Sequence, residues 1–159
     1  MNKHRHKVAI LGKLPTQDKA PFNDPEWDIW SINRRPNEKQ KTRVDLWFDL
    51  HFEPFTPGQD FTRENFPFDE IENMLGGHYF NNTISYVIAY AILKGYKEIA
   101  LYGMRFVTEA ERKIKQYENV RELIFFAKGK GIKVTAPYDE IMIAQYPQYT
   151  KEYVANKPK

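Results

Sequence analysis

The residues able to do chemistry sit at polar breaks between apolar runs. Asp49, His51 and Glu53 alternate with Leu50 and Phe52. At a period of two they share one face of a strand, which suits proton transfer, a metal, or a plain polar surface row. His51 falls at the end of the run, and histidine is the residue type that exchanges a proton near neutral pH. It is therefore the candidate catalytic residue. His78, after Gly76 and Gly77, is a second histidine, either near a site or merely exposed. Gly12 ends a run, VAIL, and leads into Lys13, Leu14, Pro15 and Thr16. In a nucleotide-binding fold such a turn cradles phosphate with backbone N–H groups, and glycine permits the close approach. The full G-x-G-x-x-G and P-loop fingerprints are absent. Asn33 ends another run, and Gly103 a third.

These positions need strands and helices to hold them. Residues 7–12, 27–33 and 99–102 are short and apolar or β-branched, and read as strands covered on both faces. Residues 44–53 alternate and read as a further strand, and residues 132–137 as the last. Between them, Ile84, Val87, Ile88, Ala91 and Ile92 stack on one face of a helix with about 3.6 residues per turn. Asn81, Asn82 or Thr83 caps its start, and Gly95 closes it in the left-handed conformation. The functional interest of this helix-strand pair lies at the helix start and the strand end. Residues 54–77 show no long period apart from a short helix over 68–75, and read as an excursion that covers a ligand. Thr108-Glu109-Ala110-Glu111 matches a capping box before a helix striped by Ile114, Tyr117, Val120, Ile124 and Ala127. Asp139 caps a final short helix through Tyr146.

A chain of 159 residues is one domain by size. We expect it over residues 1–148, with a polar tail over 149–159. The absence of cysteine excludes disulfides and thiolate zinc sites. No metal and no required cofactor are expected. No run approaches the length of a membrane span, and the N-terminal MNKHRHK lacks the apolar stretch of a signal peptide, so the expected compartment is the cytoplasm. Net charge is +3, too small for a nucleic-acid footprint, but it is uneven. Residues 34–43 carry five basic residues against Glu38, which suits a phosphate or a solvated loop, while residues 44–74 carry eight acids against Arg63. Aromatic residues make up 15%, enough for a thick core or for stacking surfaces. A homo-oligomer stays open.

Five strands with helices mainly in the second half predict a mostly parallel α/β sheet of Rossmann-like type, ordered 3-2-1-4-5 and flanked by helices. The stretches VAILGKLPTQDKAPFNDPEWDIWSIN, DLWFDLH, NNTISYVIAYAILKGYKEIALYGM and AKGKGIKVTAP resemble a small family of bacteriophage proteins with a Rossmann-like fold, over nearly the whole chain. If the protein is phage-encoded, its cytoplasm is the host's. More distantly, the order of parts is similar to bacterial sialyltransferases that use CMP-sialic acid and to motility accessory factor proteins. In those families a glycine-proline-Ser/Thr loop, an asparagine after the second strand and a polar helix start before a GYKEIYLxG-like strand surround the nucleotide. The resemblance implies the same for Gly12, Pro15 and Thr16, for Asn33, and for Asn82, Thr83 and Ser85 with Gly103. Leu14 stands where the family loop commonly has a second glycine, and Arg105 where it has an aspartate, which shifts preference toward a more anionic ligand.

The expected function is binding of a nucleotide or nucleotide-derived small molecule at the C-terminal edge of the sheet. Lys13, Thr16 and the loop amides would hold phosphate, Asn33 a base or sugar edge, the amides of Asn82 to Ser85 a second anionic group, and Arg105 a phosphate charge. Two other classes are a glycosyl- or nucleotidyl-transferase-like enzyme with His51 or His78 as base, and a non-catalytic protein that sequesters a host defence nucleotide signal. The sialyltransferases carry a catalytic histidine after the GYKEIYLxG-like strand, whereas residues 105–159 contain none. Sialyl transfer is therefore not expected, and other chemistry through His51 stays open.

Overall fold

A computed structural model describes residues 5–33, 43–54, 58–77, 80–104 and 111–137, with the backbone alone for 111–114. Residues 108–110 of the predicted capping box, Thr108 to Glu111, lie outside the described residues, as do the helix after Asp139 and the tail over 149–159. Strands β1 (Lys7–Leu11), β2 (Trp27–Ile32), β3 (Leu46–Asp49), β4 (Phe61–Thr62), β5 (Glu98–Tyr102) and β6 (Lys133–Thr135) form one sheet in the order β4-β3-β2-β1-β5-β6. Every pairing in it is parallel. The fold is α/β and Rossmann-like, and the five expected strands stand in the expected order. β1 and β5 are central neighbours, with Val8 opposite Ile99 and Leu11 opposite Tyr102.

Two expectations are corrected. The sheet has a sixth strand, β4, inside the predicted excursion, where only two residues pair and no period reveals them. Asp60 makes the join: its N–H donates to Trp47 O at 2.9 Å and its Oδ2 accepts from Trp47 N at 2.7 Å. The strand expected over 44–53 stops at Asp49, because Asp49 Oδ1 accepts the N–H of His51 at 3.2 Å and turns the chain in place of a ladder bond.

Side chains alternate across the sheet, so β1 sends Val8 and Ile10 into one core cluster and Ala9 and Leu11 into another. The larger cluster is covered by α1 (Phe68–Leu75), α2 (Thr83–Leu93) and α3 (Glu111–Gly129). The smaller one is covered by Ala20 and Phe22 of the β1–β2 connection, which contains a short 3-10 helix, Pro15–Lys19, and by Trp27 at the start of β2. Much of the aromatic content lies in the larger cluster: Trp30, Phe48, Phe61, Phe66 and Tyr90 pack at centroid separations of 5.0 to 6.3 Å. Edge-to-face and offset rings of this kind add about 0.5–1.5 kcal/mol per pair beyond area burial.

α2 is the organising helix. Residues 87–92 are buried without interruption, so it is embedded rather than amphipathic, as expected of a segment apolar on all sides. Of the three candidate caps Asn82 performs the task, its side chain accepting from Ser85 N at 2.8 Å. At the other end Gly95 takes φ +78, with Gly95 N donating to Ile92 O and Tyr96 N to Ala91 O, the paired bonds of a Schellman stop. α2 crosses back between parallel strands and so runs against them. Its N-terminus therefore stands at the C-terminal edge of the sheet.

Candidate functional site

The strand order reverses direction between β1 and β5, and in open parallel sheets ligands bind outside the carboxyl ends of the strands at such a switch. Gly12 follows β1 and Gly103 follows β5, and the two are packed on each other. Gly12 N donates to Tyr102 O at 2.7 Å, Leu14 N to Gly103 O at 3.0 Å, and Gly103 N to Thr16 Oγ1 at 3.0 Å. A Cβ on Gly12 would lie 2.2 Å from Gly103 O, and Gly103 itself holds φ +68. The β1 loop thus folds across the end of β5 and uses three of its polar groups to stay there. The backbone that comes close to Gly12 is that of Gly103. Lys13 and Pro15 are exposed on this loop, and Thr16 is half-buried.

Asn33, one residue past β2, has a left-handed backbone at φ +61, the one positive φ among the described non-glycine residues. Asparagine tolerates this conformation better than most side chains. Its N–H donates to Phe48 O at 2.7 Å and its carbonyl accepts from Trp47 Nε1 at 3.0 Å, so β3 fixes it from one side. Its Oδ1 is buried and has no hydrogen-bond partner among the described residues. The same is true of Ser85 Oγ in the first turn of α2. Of the amides at that helix start, Ser85 N is taken by the Asn82 side chain, and Thr83 is buried.

Asp49 and His51 do not form the exposed polar row with Glu53 that period two allowed. Asp49 is fully buried at the end of β3, while His51 and Glu53 follow beyond the strand and are exposed. His51 Nδ1 lies 2.6 Å from Asp49 Oδ1. Among the described residues no group of three His, Asp or Glu is placed to hold a metal ion.

The structure therefore gathers Gly12, Thr16 and Gly103 into one direct contact, and places Asn33 beside the end of β3, next to Asp49. Asn82, Thr83 and Ser85 stand together at the start of α2. Arg105 and His78 lie outside the described residues, as does most of the basic stretch. Arg43, which the sequence counts with that stretch, is engaged elsewhere: its guanidinium donates to Phe22 O at 2.9 Å, Asp24 O at 2.8 Å and Trp27 O, at the N-terminal side of β2. Two residues have roles other than those read from the sequence. Asn81 ties α2 to α3 by accepting from Asn82 Nδ2 at 3.1 Å and Asn119 Nδ2 at 3.0 Å. Asp49 was counted only as one of a polar row, although the Asp-x-His spacing at a strand end is a signal for a carboxylate turned onto a ring.

No protein-family model matches the chain, and no curated protein matches it. Among solved structures the chain is similar to the sialyltransferase CST-II, crystallised in complex with trisaccharide acceptor and CMP. The identity is 17% over 87% of this chain and 82% of that one, with a TM-score of 0.49.

Proposed function

We propose that this chain binds a nucleotide or a nucleotide-derived small molecule at the C-terminal edge of its sheet. The observation that carries the reading is the pair of buried polar atoms at that edge, Asn33 Oδ1 and Ser85 Oγ, without partners among the described residues. A buried polar atom left unpaired costs about 1–3 kcal/mol, and a left-handed non-glycine residue adds a penalty of order 1 kcal/mol. A ligand that donates to Asn33 offsets both. Asn33 Oδ1 only accepts, so its partner is a hydroxyl or amino group; Ser85 Oγ both donates and accepts. A nucleoside offers hydroxyls on its sugar and amino groups on its base. In the sequence Asn33 runs directly into residues 34–42, which carry Arg34, Arg35, Lys39 and Lys41 against Glu38, a composition suited to the phosphate of the same ligand.

The test is a thermal-shift panel of nucleoside mono-, di- and triphosphates, cyclic nucleotides and nucleotide sugars. A ligand at about 100 times its Kd stabilises by about 2.7 kcal/mol, a rise of roughly 5–10 °C for a chain of this size. Asn33→Gly relieves the backbone and deletes the acceptor, and Ser85→Ala deletes a hydroxyl that has no partner among the described residues. Both variants should fold as stably as the parent and lose most of the ligand-induced rise. A panel with no stabilising member, or variants that respond as the parent does, would contradict the reading.

A further inference from the structure

The ring of His51 is 44% exposed, and the carboxylate behind it is completely buried. Two contacts from one oxygen join them: Asp49 Oδ1 accepts the backbone N–H of His51 at 3.2 Å and lies 2.6 Å from its Nδ1. A carboxylate only accepts, so Nδ1 carries the hydrogen, and the lone pair of Nε2 projects from the far side of the ring. Burying a carboxylate is unfavourable unless it is paired and hydrogen-bonded. Here the burial fixes the ring's direction and tautomer, the task of the aspartate in hydrolytic triads. The pair also stands at the proposed ligand edge. Asn33, whose buried Oδ1 has no partner among the described residues, donates its N–H to Phe48 O, the residue before Asp49, at 2.7 Å.

We infer that Asp49 and His51 form a proton-transfer pair that hydrolyses a phosphoester or phosphoanhydride of the nucleotide bound at this edge. The inference rests on the nucleotide reading and deepens it. Water is the nucleophile because an exposed ring meets it without a second substrate. As the water oxygen bonds to phosphorus, its proton moves to His51 Nε2. The phosphorus–oxygen bond to the leaving group breaks, and the leaving oxygen keeps the electron pair. The imidazolium then returns the proton to that oxygen, which restores the neutral ring. His51 is the catalytic base, and Asp49 is a positioning residue that also stabilises the transient imidazolium.

The experiment uses the full chain. Each nucleotide of the thermal-shift panel is incubated with it and followed by phosphorus NMR, while nitrogen NMR reads the His51 ring. At least one nucleotide should be hydrolysed, and His51→Gln and Asp49→Asn should each lower turnover at least about 100-fold without loss of fold. The parent ring should carry its hydrogen on Nδ1. After Asp49→Asn, whose amide donates to Nδ1, the hydrogen should move to Nε2, which leaves the ring in place but removes the base, so the tautomer change and the loss of turnover should appear together. A nucleotide that binds and is not hydrolysed, hydrolysis unchanged by His51→Gln, or a parent ring with its hydrogen on Nε2 would overturn the pair and leave the binding reading standing. A panel without binding would overturn both.

Discussion

At the scale of single residues, the tightest constraint is the contact between Gly12 and Gly103. A Cβ on Gly12 would meet Gly103 O at 2.2 Å and its carbonyl carbon at 2.8 Å, backbone atoms that cannot swing aside as a flexible side chain does. Gly12→Val should therefore lower stability by about 3 kcal/mol, read as a lower urea midpoint at unchanged slope. Gly129, at the end of α3, has open space where its Cβ would stand. Gly129→Ala should raise stability by about 0.5–1 kcal/mol in the same assay. A Gly12→Val variant as stable as the parent would show that the β1 loop and the β5 turn do not touch. The sequence marked Gly12 as a turn that permits the close approach of a phosphate and Gly103 as the end of an apolar run. It could not show what comes close, since the partner lies in a distant segment. Asn33 was readable as a strand end, but its left-handed backbone and buried oxygen exist only once Phe48 and Trp47 hold it. Burial of Asp49 was invisible for a related reason: period two assigns a face and says nothing of how deep that face lies.

At the scale of elements, α2 and its caps were legible because they are local. The Asn82 cap and the Gly95 stop each depend on residues within one turn of the helix. Removing the cap leaves Ser85 N without its acceptor, so Asn82→Ala should cost about 1 kcal/mol in the same urea titration. An unchanged midpoint would indicate that the link between Asn81 and Asn119 holds the helix start instead. β4 was not legible, because a two-residue strand has no period; it exists through Asp60 and through Phe61, stacked on Phe48 at 5.0 Å and 11°. The early end of β3 depended on a side chain competing with the ladder, a choice that alternation of polar and apolar residues does not encode.

At the scale of the whole molecule, the two edges of the sheet differ. The N-terminal edge is tied by charge. Arg5 bridges Asp28 at 2.7 Å and Asp45 at 3.1 Å, Asp45 Oδ2 accepts from Ile29 N at 2.8 Å, and Tyr96 Oη donates to Asp28 Oδ2 at 2.5 Å. Burial first, and then the hydrogen bond to Asp28, push the Tyr96 phenol far above its ordinary range. The fold thus favours the neutral phenol. Its contribution is complete below the ordinary tyrosine pKa of about 10 and declines as pH rises beyond it. Tyr90 is pushed up by burial as well, so Tyr96→Phe should reduce, rather than abolish, the loss of stability between about pH 9 and 11. Urea midpoints across that range, parent against variant, read the difference, and parallel curves would remove the role given to Tyr96. No helix among the described residues is long and apolar enough to cross a membrane. The C-terminal edge, by contrast, gathers the Asn33 and Ser85 oxygens, without partners among the described residues, and the exposed His51 ring, and that contrast is the basis for the proposed ligand position. Amide chemical-shift mapping with the most stabilising nucleotide of the panel tests this placement most directly. Perturbations should be concentrated at residues 12–17, 33, 49–51, 82–86 and 103–104. Perturbations concentrated instead around Arg5, Asp28, Asp45 and Tyr96, at the opposite edge, would contradict it.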